Sequence, residues 1–199
     1  MYTYAQAETI LARLYGADEQ AQRNAFRGRL KHLKRVGIPM NMSPGRGKKV
    51  LYTREHLFQW AICLEFSEFG IDPMLTSKFI YALWNQFRYF MTYTTQNDNY
   101  EDDVILTMYP IIMSKNWTEI DKQSLFRRSF PDFYDFKPGQ ISDTPRMMQG
   151  LLGNCRRAMV INITEVLRLI DSESRRLGVE PDILAGRTQP VGDALQKPL

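Results

Sequence analysis

The pattern of apolar and polar positions divides the chain into a regular first half and an irregular second half. Thr3 followed by Gln6 has the spacing of a capping box, and Ile10, Leu11 and Leu14 recur at helical intervals until Gly16, so a short helix is expected there. Asp18 is the expected N-cap of a second helix. In it Phe26, Leu30 and Leu33 form one apolar stripe, while Arg23, Arg27, Lys31, Lys34 and Arg35 lie elsewhere on the cylinder. "VGIP" ends it, because Gly37 can take a C-cap conformation and Pro39 cannot continue a helix. From Met40 to Tyr52 the pattern changes to short extended pieces around "SPGRGKK", which read as a β-hairpin. Thr53 can cap a third helix carrying Leu57, Phe58, Ala61, Ile62 and Leu64, with Gly70 as its terminator. Asp72 and Pro73 then open a fourth, "MLTSKFIYALWNQFRYFMTY".

Beyond the polar stretch "TTQNDNYEDD" the signals weaken. "VILTMYPIIM" reads as one or two strands, and "RAMVINI" as another. Between them "SLFRRSFPDFYDFKPGQISDTP" is punctuated by Pro, Gly and Asp and reads as loop with at most short helices. An amphipathic helix from Thr164 to about Leu177 is expected to bury Val166, Leu167, Leu169 and Ile170, and the last residues offer little to pack. The expected organisation is a first domain over 1–72, a connecting or dimerisation helix over 73–96, a helical or α+β domain over 97–186, and a loosely held tail over 187–199.

Composition adds limits. The chain has 199 residues, 44% of them hydrophobic and 24% charged, which is ordinary for a globular protein able to build a core. Neither a signal peptide nor an apolar run of membrane-spanning length is visible, so a cytoplasmic location is expected. Charge is more informative. Residues 1–60 carry 11 Lys/Arg against 4 Asp/Glu, a balance of +7, whereas residues 61–199 carry 15 against 18, a balance of −3. Such polarity points to a polyanionic partner, most simply nucleic acid. Arg46, Lys48 and Lys49 lie on the glycine-containing tip of the expected hairpin, where cations can reach phosphates and gain by releasing condensed counterions.

The succession "LKHLKRVGIP", "PGRGKKVLYTREHL" and "EFSEFGIDPMLTSKFI" resembles the DNA-binding domain of the MerR family of bacterial transcriptional regulators, over about residues 3–83. The resemblance implies a mainly α fold with an N-terminal winged helix-turn-helix and a β-hairpin wing, located at the nucleoid. Carried over by position, Lys31, His32 and Arg35 sit where the recognition helix faces DNA, and Arg46 and Lys48 sit in the wing. Tyr52 is the aromatic that closes the wing onto the third helix. "ADEQAQRN" lengthens the segment before the recognition helix and Phe26 replaces a small polar residue, which brings Arg23, Asn24 and Arg27 into the candidate contact set.

Family members dimerise through a long helix beyond the wing domain, so the resemblance implies a homodimer on double-stranded DNA, with RNA polymerase a further candidate partner. The helix from Pro73 is its counterpart here, although its aromatics at Phe79, Tyr81, Trp84, Phe87, Tyr89 and Phe90 read first as core.

An enzyme is not expected. The two cysteines, Cys63 and Cys155, lie in apolar stretches without metal-ligand spacing, so no metal or other cofactor is expected. His32 and His56 fall in the first domain, where DNA contact or helix capping explains them, and the acidic cluster Glu101, Asp102 and Asp103 reads as a solvated loop. The functional expectation is a sequence-specific DNA-binding transcriptional regulator. Two alternatives stand beside it: a phage or mobile-element DNA-binding protein of excisionase or packaging type, and a protein-interaction adaptor with a basic face.

Overall fold

The computed structural model describes residues 1–42, 49–96, 103–108, 134–139 and 159–181. Four helices come first: α1 (Tyr4–Leu14), α2 (Gln20–Arg35), α3 (Arg54–Glu68) and α4 (Pro73–Gln96). Strands β1 (Asp103–Met108), β2 (Tyr134–Gly139) and β3 (Met159–Asn162) follow, and β3 runs directly into α5 (Ile163–Arg176). The described residues are mainly helical, with one antiparallel sheet in the order β2-β1-β3.

Local chemistry sets most helix ends. Thr3 and Gln6 form the reciprocal capping box of α1, and Thr53 and His56 form another at the head of α3. The Asp72 carboxylate accepts the Met74 and Leu75 amides at 2.9 and 3.2 Å ahead of α4. Gly37 and Gly70, with φ of 90° and 77°, end α2 and α3 in the left-handed region that favours glycine. α2 begins differently. Glu19 rather than Asp18 occupies its N-cap and makes no side-chain capping bond, so ion pairs to α1 hold this end.

The core forms around α3, in which Leu57, Phe58, Trp60, Ala61, Ile62, Cys63, Leu64 and Phe66 are all buried. A helix apolar on every side needs neighbours on every side. α1, α2, α4 and α5 all pack on it. From α4 come Ile80, Leu83, Phe87 and Met91, with Phe87 edge-on to Phe58 at 5.8 Å between ring centres. The aromatic stripe of α4 therefore divides: Phe79, Trp84 and Phe90 are half-buried, while Tyr81 and Tyr89 are 76% and 62% exposed. The sheet joins the same core through Val104, Leu106, Met159 and Ile161, and the Val104 amide donates to the buried Thr164 hydroxyl at 2.8 Å.

Several expectations change. Tyr52 does not pair with the Met40–Met42 stretch; it exchanges backbone hydrogen bonds with Tyr2 at 2.7 and 2.8 Å. The hairpin tip, with Arg46 and Lys48, lies outside the described residues, as do Cys155, Glu101, Asp102 and the tail over 187–199. The stretch expected to be loop contains β2, whose Pro138 is accommodated because β2 is an edge strand of the sheet among the described residues. In α5, Val166, Leu167 and Ile170 are buried as expected, but Leu169 is 42% exposed because the inward face is completed by polar side chains instead.

Those polar side chains also cross the boundary expected after residue 72. The Arg54 guanidinium donates to both Asp171 carboxylate oxygens at 2.7 and 2.6 Å, and Arg13 meets Glu173 at 3.2 Å. Ser174 donates its hydroxyl proton to the Ile170 carbonyl at 2.6 Å, so the Tyr2 hydroxyl, 3.0 Å from Ser174 Oγ, is the donor between those two. The helix before the tail is thus a wall of the first unit, and one hydrophobic cluster runs from Tyr2 to Ile170.

Removing one partner of a buried bidentate pair strands the other charge. Asp171→Ala is expected to destabilise the fold by about 3 to 5 kcal/mol, and an Arg54→Met, Asp171→Leu double variant by much less. Denaturant unfolding of the three proteins checks this; equal losses in both variants would show that packing rather than charge burial dominates.

Candidate nucleic-acid interface

No acidic residue occurs in α2, "QAQRNAFRGRLKHLKR", and its apolar face of Phe26, Leu30 and Leu33 is turned into the core. The opposite side is the candidate interface. Asn24, Lys31 and Arg35 follow one another there at spacings of seven and four residues, all exposed, with exposed His32 beside them. None of the four has a hydrogen bond or ion pair to another side chain among the described residues. Lys49 is exposed as well.

The other cations of α2 are committed to the protein itself. Arg23 donates to the Glu8 carboxylate at 3.3 Å and to the Thr9 hydroxyl at 2.7 Å, and Arg27 donates to the same Glu8 oxygen at 2.7 Å. Glu8 is 2% exposed, so its charge requires these partners. Arg29 reaches Glu68 on α3 at 2.7 Å. Lys34 lies 3.2 Å from the Tyr52 hydroxyl and 5.7 Å from the centre of the Tyr4 ring.

The candidate set thus separates by role. Arg23 and Arg27 brace α2 against α1, although Arg27 keeps a side chain 45% exposed; Asn24, Lys31, His32 and Arg35 remain available. The sequence carried a sign of this. Glu8 stands among Ala7, Ile10 and Leu11 on the apolar side of α1, where a carboxylate needs a cation from a neighbour.

His32 borders an open hollow between α2 and the α3–α4 turn, lined also by Gly28, Leu64, Ser67 and Ile71. His56 serves the backbone instead, since its Nδ1 accepts the Thr53 amide at 3.1 Å, and burial lowers its basicity. Burial pushes the Cys63 thiol far up, which leaves it inert. Among the described residues no group of His, Cys, Asp and Glu could hold a metal ion, and no described helix is long and apolar enough to cross a membrane.

No protein-family model matches the chain, and neither a curated protein nor a solved structure does.

Two outcomes are expected. Arg23→Ala should lower stability by about 1 to 3 kcal/mol by leaving Glu8 under-satisfied, whereas Lys31→Ala and Arg35→Ala should stay within about 0.5 kcal/mol of wild type in thermal or denaturant unfolding. For His56 the folded pKa lies below the unfolded value near 6.5, so the unfolded chain binds the extra proton. Its contribution is complete above about pH 6.5 and is lost as pH falls toward the lowered folded value. His56→Gln keeps a capping acceptor that does not titrate. Unfolding measured between about pH 7.5 and 5 should therefore fall less steeply in that variant; parallel curves would remove His56 as the cause.

Proposed function

We propose that the protein is a sequence-specific duplex DNA-binding transcriptional regulator, with α2 entering the major groove. The observation that carries this reading is the outward row of Asn24, Lys31 and Arg35, with His32, on a helix without carboxylates whose other cations are already engaged. Amide and cationic side chains at such spacing suit base edges and phosphates, and the resemblance of "LKHLKRVGIP" and "PGRGKKVLYTREHL" to the MerR winged helix supports the same use. In this reading Arg46, Lys48 and Lys49 contact flanking phosphates as a wing. A homodimer reading a palindrome is part of the proposal, because a single short recognition helix buries too little surface for tight binding. α4, which exposes Met74, Tyr81 and Tyr89, is the element with apolar surface to spare for that contact, since Val166 and Ile170 of α5 are used by the core.

The test is a binding titration against a selected site and a random duplex at several salt concentrations. Replacing Arg46, Lys48 and Lys49 together by Ala should weaken binding to both duplexes and flatten the salt dependence by about one slope unit per lost contact. Lys31→Ala with His32→Ala should cost about 1 to 3 kcal/mol on the selected site and little on random DNA. Absence of any salt-sensitive binding by the wild-type chain would overturn the reading in favour of an adaptor that binds an acidic protein.

A further inference from the structure

Lys34 has no carboxylate partner among the described residues, yet it is held in place. Its ammonium sits 3.2 Å from the Tyr52 hydroxyl, 5.7 Å from the centre of the Tyr4 ring and 5.9 Å from that of Tyr52. At 5.7 Å the Tyr4 ring attracts the cation, whereas the ammonium lies out along the Tyr52 C–O direction, so Tyr52 holds it through its hydroxyl. The rings are themselves fixed: Tyr52 lies 4.9 Å from Trp60, and Tyr4 meets Trp60 edge-on at 6.3 Å. Tyr4 contributes its ring alone, because its buried hydroxyl has no hydrogen-bond partner among the described residues.

Tyr52 also follows Lys49 by three residues. It shares both backbone bonds of the bridge with Tyr2, and it immediately precedes the Thr53 cap and the buried Arg54. Lys34, in the last turn of α2, therefore ties that helix to the Tyr2–Tyr52 bridge.

We propose that Lys34 is a positioning residue rather than a phosphate ligand: it locks α2 to the Tyr2–Tyr52 bridge, so that the Lys31 and Arg35 face and Lys49 form one rigid cationic surface. This rests on the DNA-binding reading. Two groups of contacts on one rigid body engage a duplex together, each raising the effective concentration of the other. Loosening the link lowers affinity while every phosphate contact remains. A phosphate ligand behaves otherwise, since its loss reduces the number of counterions released and the salt slope falls by about 0.9.

The experiment compares Lys34→Gln, Lys34→Arg and Tyr52→Phe in the full chain. The selected-site duplex is titrated across a salt series, and amide exchange at Tyr2 and Tyr52 is followed by NMR without DNA. Lys34→Gln should weaken binding by about fivefold or more, the low end of the combined worth of one exposed cation–ring contact and one hydrogen bond, with an unchanged salt slope and faster exchange at both bridge amides. Lys34→Arg, which keeps a cation beside Tyr4 and a donor for the Tyr52 hydroxyl, should restore both readouts, and Tyr52→Phe should fall between. A melting temperature lowered by no more than a few degrees, with exchange unaltered at amides away from the bridge, identifies these as local effects. A slope reduced by about one with unaltered exchange would make Lys34 a phosphate ligand and overturn the proposal, as would no change in either readout. Should the wild-type chain fail to bind duplex, the DNA reading falls while the bridge amides still decide whether Lys34 locks them.

Discussion

The buried ion pair between Arg54 and Asp171 is the constraint on which the arrangement of the chain depends. Moving either charge out of water costs several kcal/mol, and the geometry recovers that cost only because both guanidinium contacts are made in parallel. Arg54 is the first residue of α3, and Asp171 lies midway along α5. Satisfying the pair therefore fixes one helix relative to the other across 117 positions of sequence. With α5 so placed, Val166, Leu167 and Ile170 close the side of α3 that α1, α2 and α4 leave open, and Tyr2 finds Ser174.

The same principle sorts the surface. A carboxylate that is buried claims the nearest cations, as Glu8 claims Arg23 and Arg27, and those cations become structural even when partly exposed. Cations that neither a carboxylate nor, as for Lys34, a tyrosine holds remain as the chemical offering of the protein, and on α2 they fall on one side. The distribution of acids in the interior thus decides which of the basic residues of the first 60 are available outside it.

What the sequence made legible was local. The capping box at Thr3, the Thr53 and Asp72 caps and the glycine ends of α2 and α3 involve residues a few positions apart, and each was readable from spacing alone, while the reciprocal bond from Thr53 to His56 was not. The burial of Phe26, Leu30 and Leu33 followed from helical periodicity, and the outward placement of Lys31 and Arg35 came with it. What was not legible depends on distant partners. β2 contains Asp135, Pro138 and Gly139, which disfavour a strand until β1 is beside it. Leu169 was expected inside because hydrophobicity alone cannot show that Asp171, Glu173 and Ser174 are the residues α5 turns inward. Phe79, Trp84 and Phe90 fit the expected core reading only in part, since Tyr81 and Tyr89 of the same helix remain outside. The role of Arg23 depends on a carboxylate 15 residues earlier and on another helix.

The contact between Tyr2 and Ser174 joins residues 172 positions apart. During synthesis the first four helices leave the ribosome well before α5 exists, with Arg54 carrying an uncompensated charge on a surface not yet covered. Domains usually fold as units as the chain emerges, but this core cannot close until more than a hundred further residues have been added. Its assembly must therefore wait on long-range closure, which costs entropy before any contact repays it and makes folding slow relative to a bundle of sequence neighbours. The nascent chain consequently passes through an interval in which the apolar flank of α3 is open to chaperones.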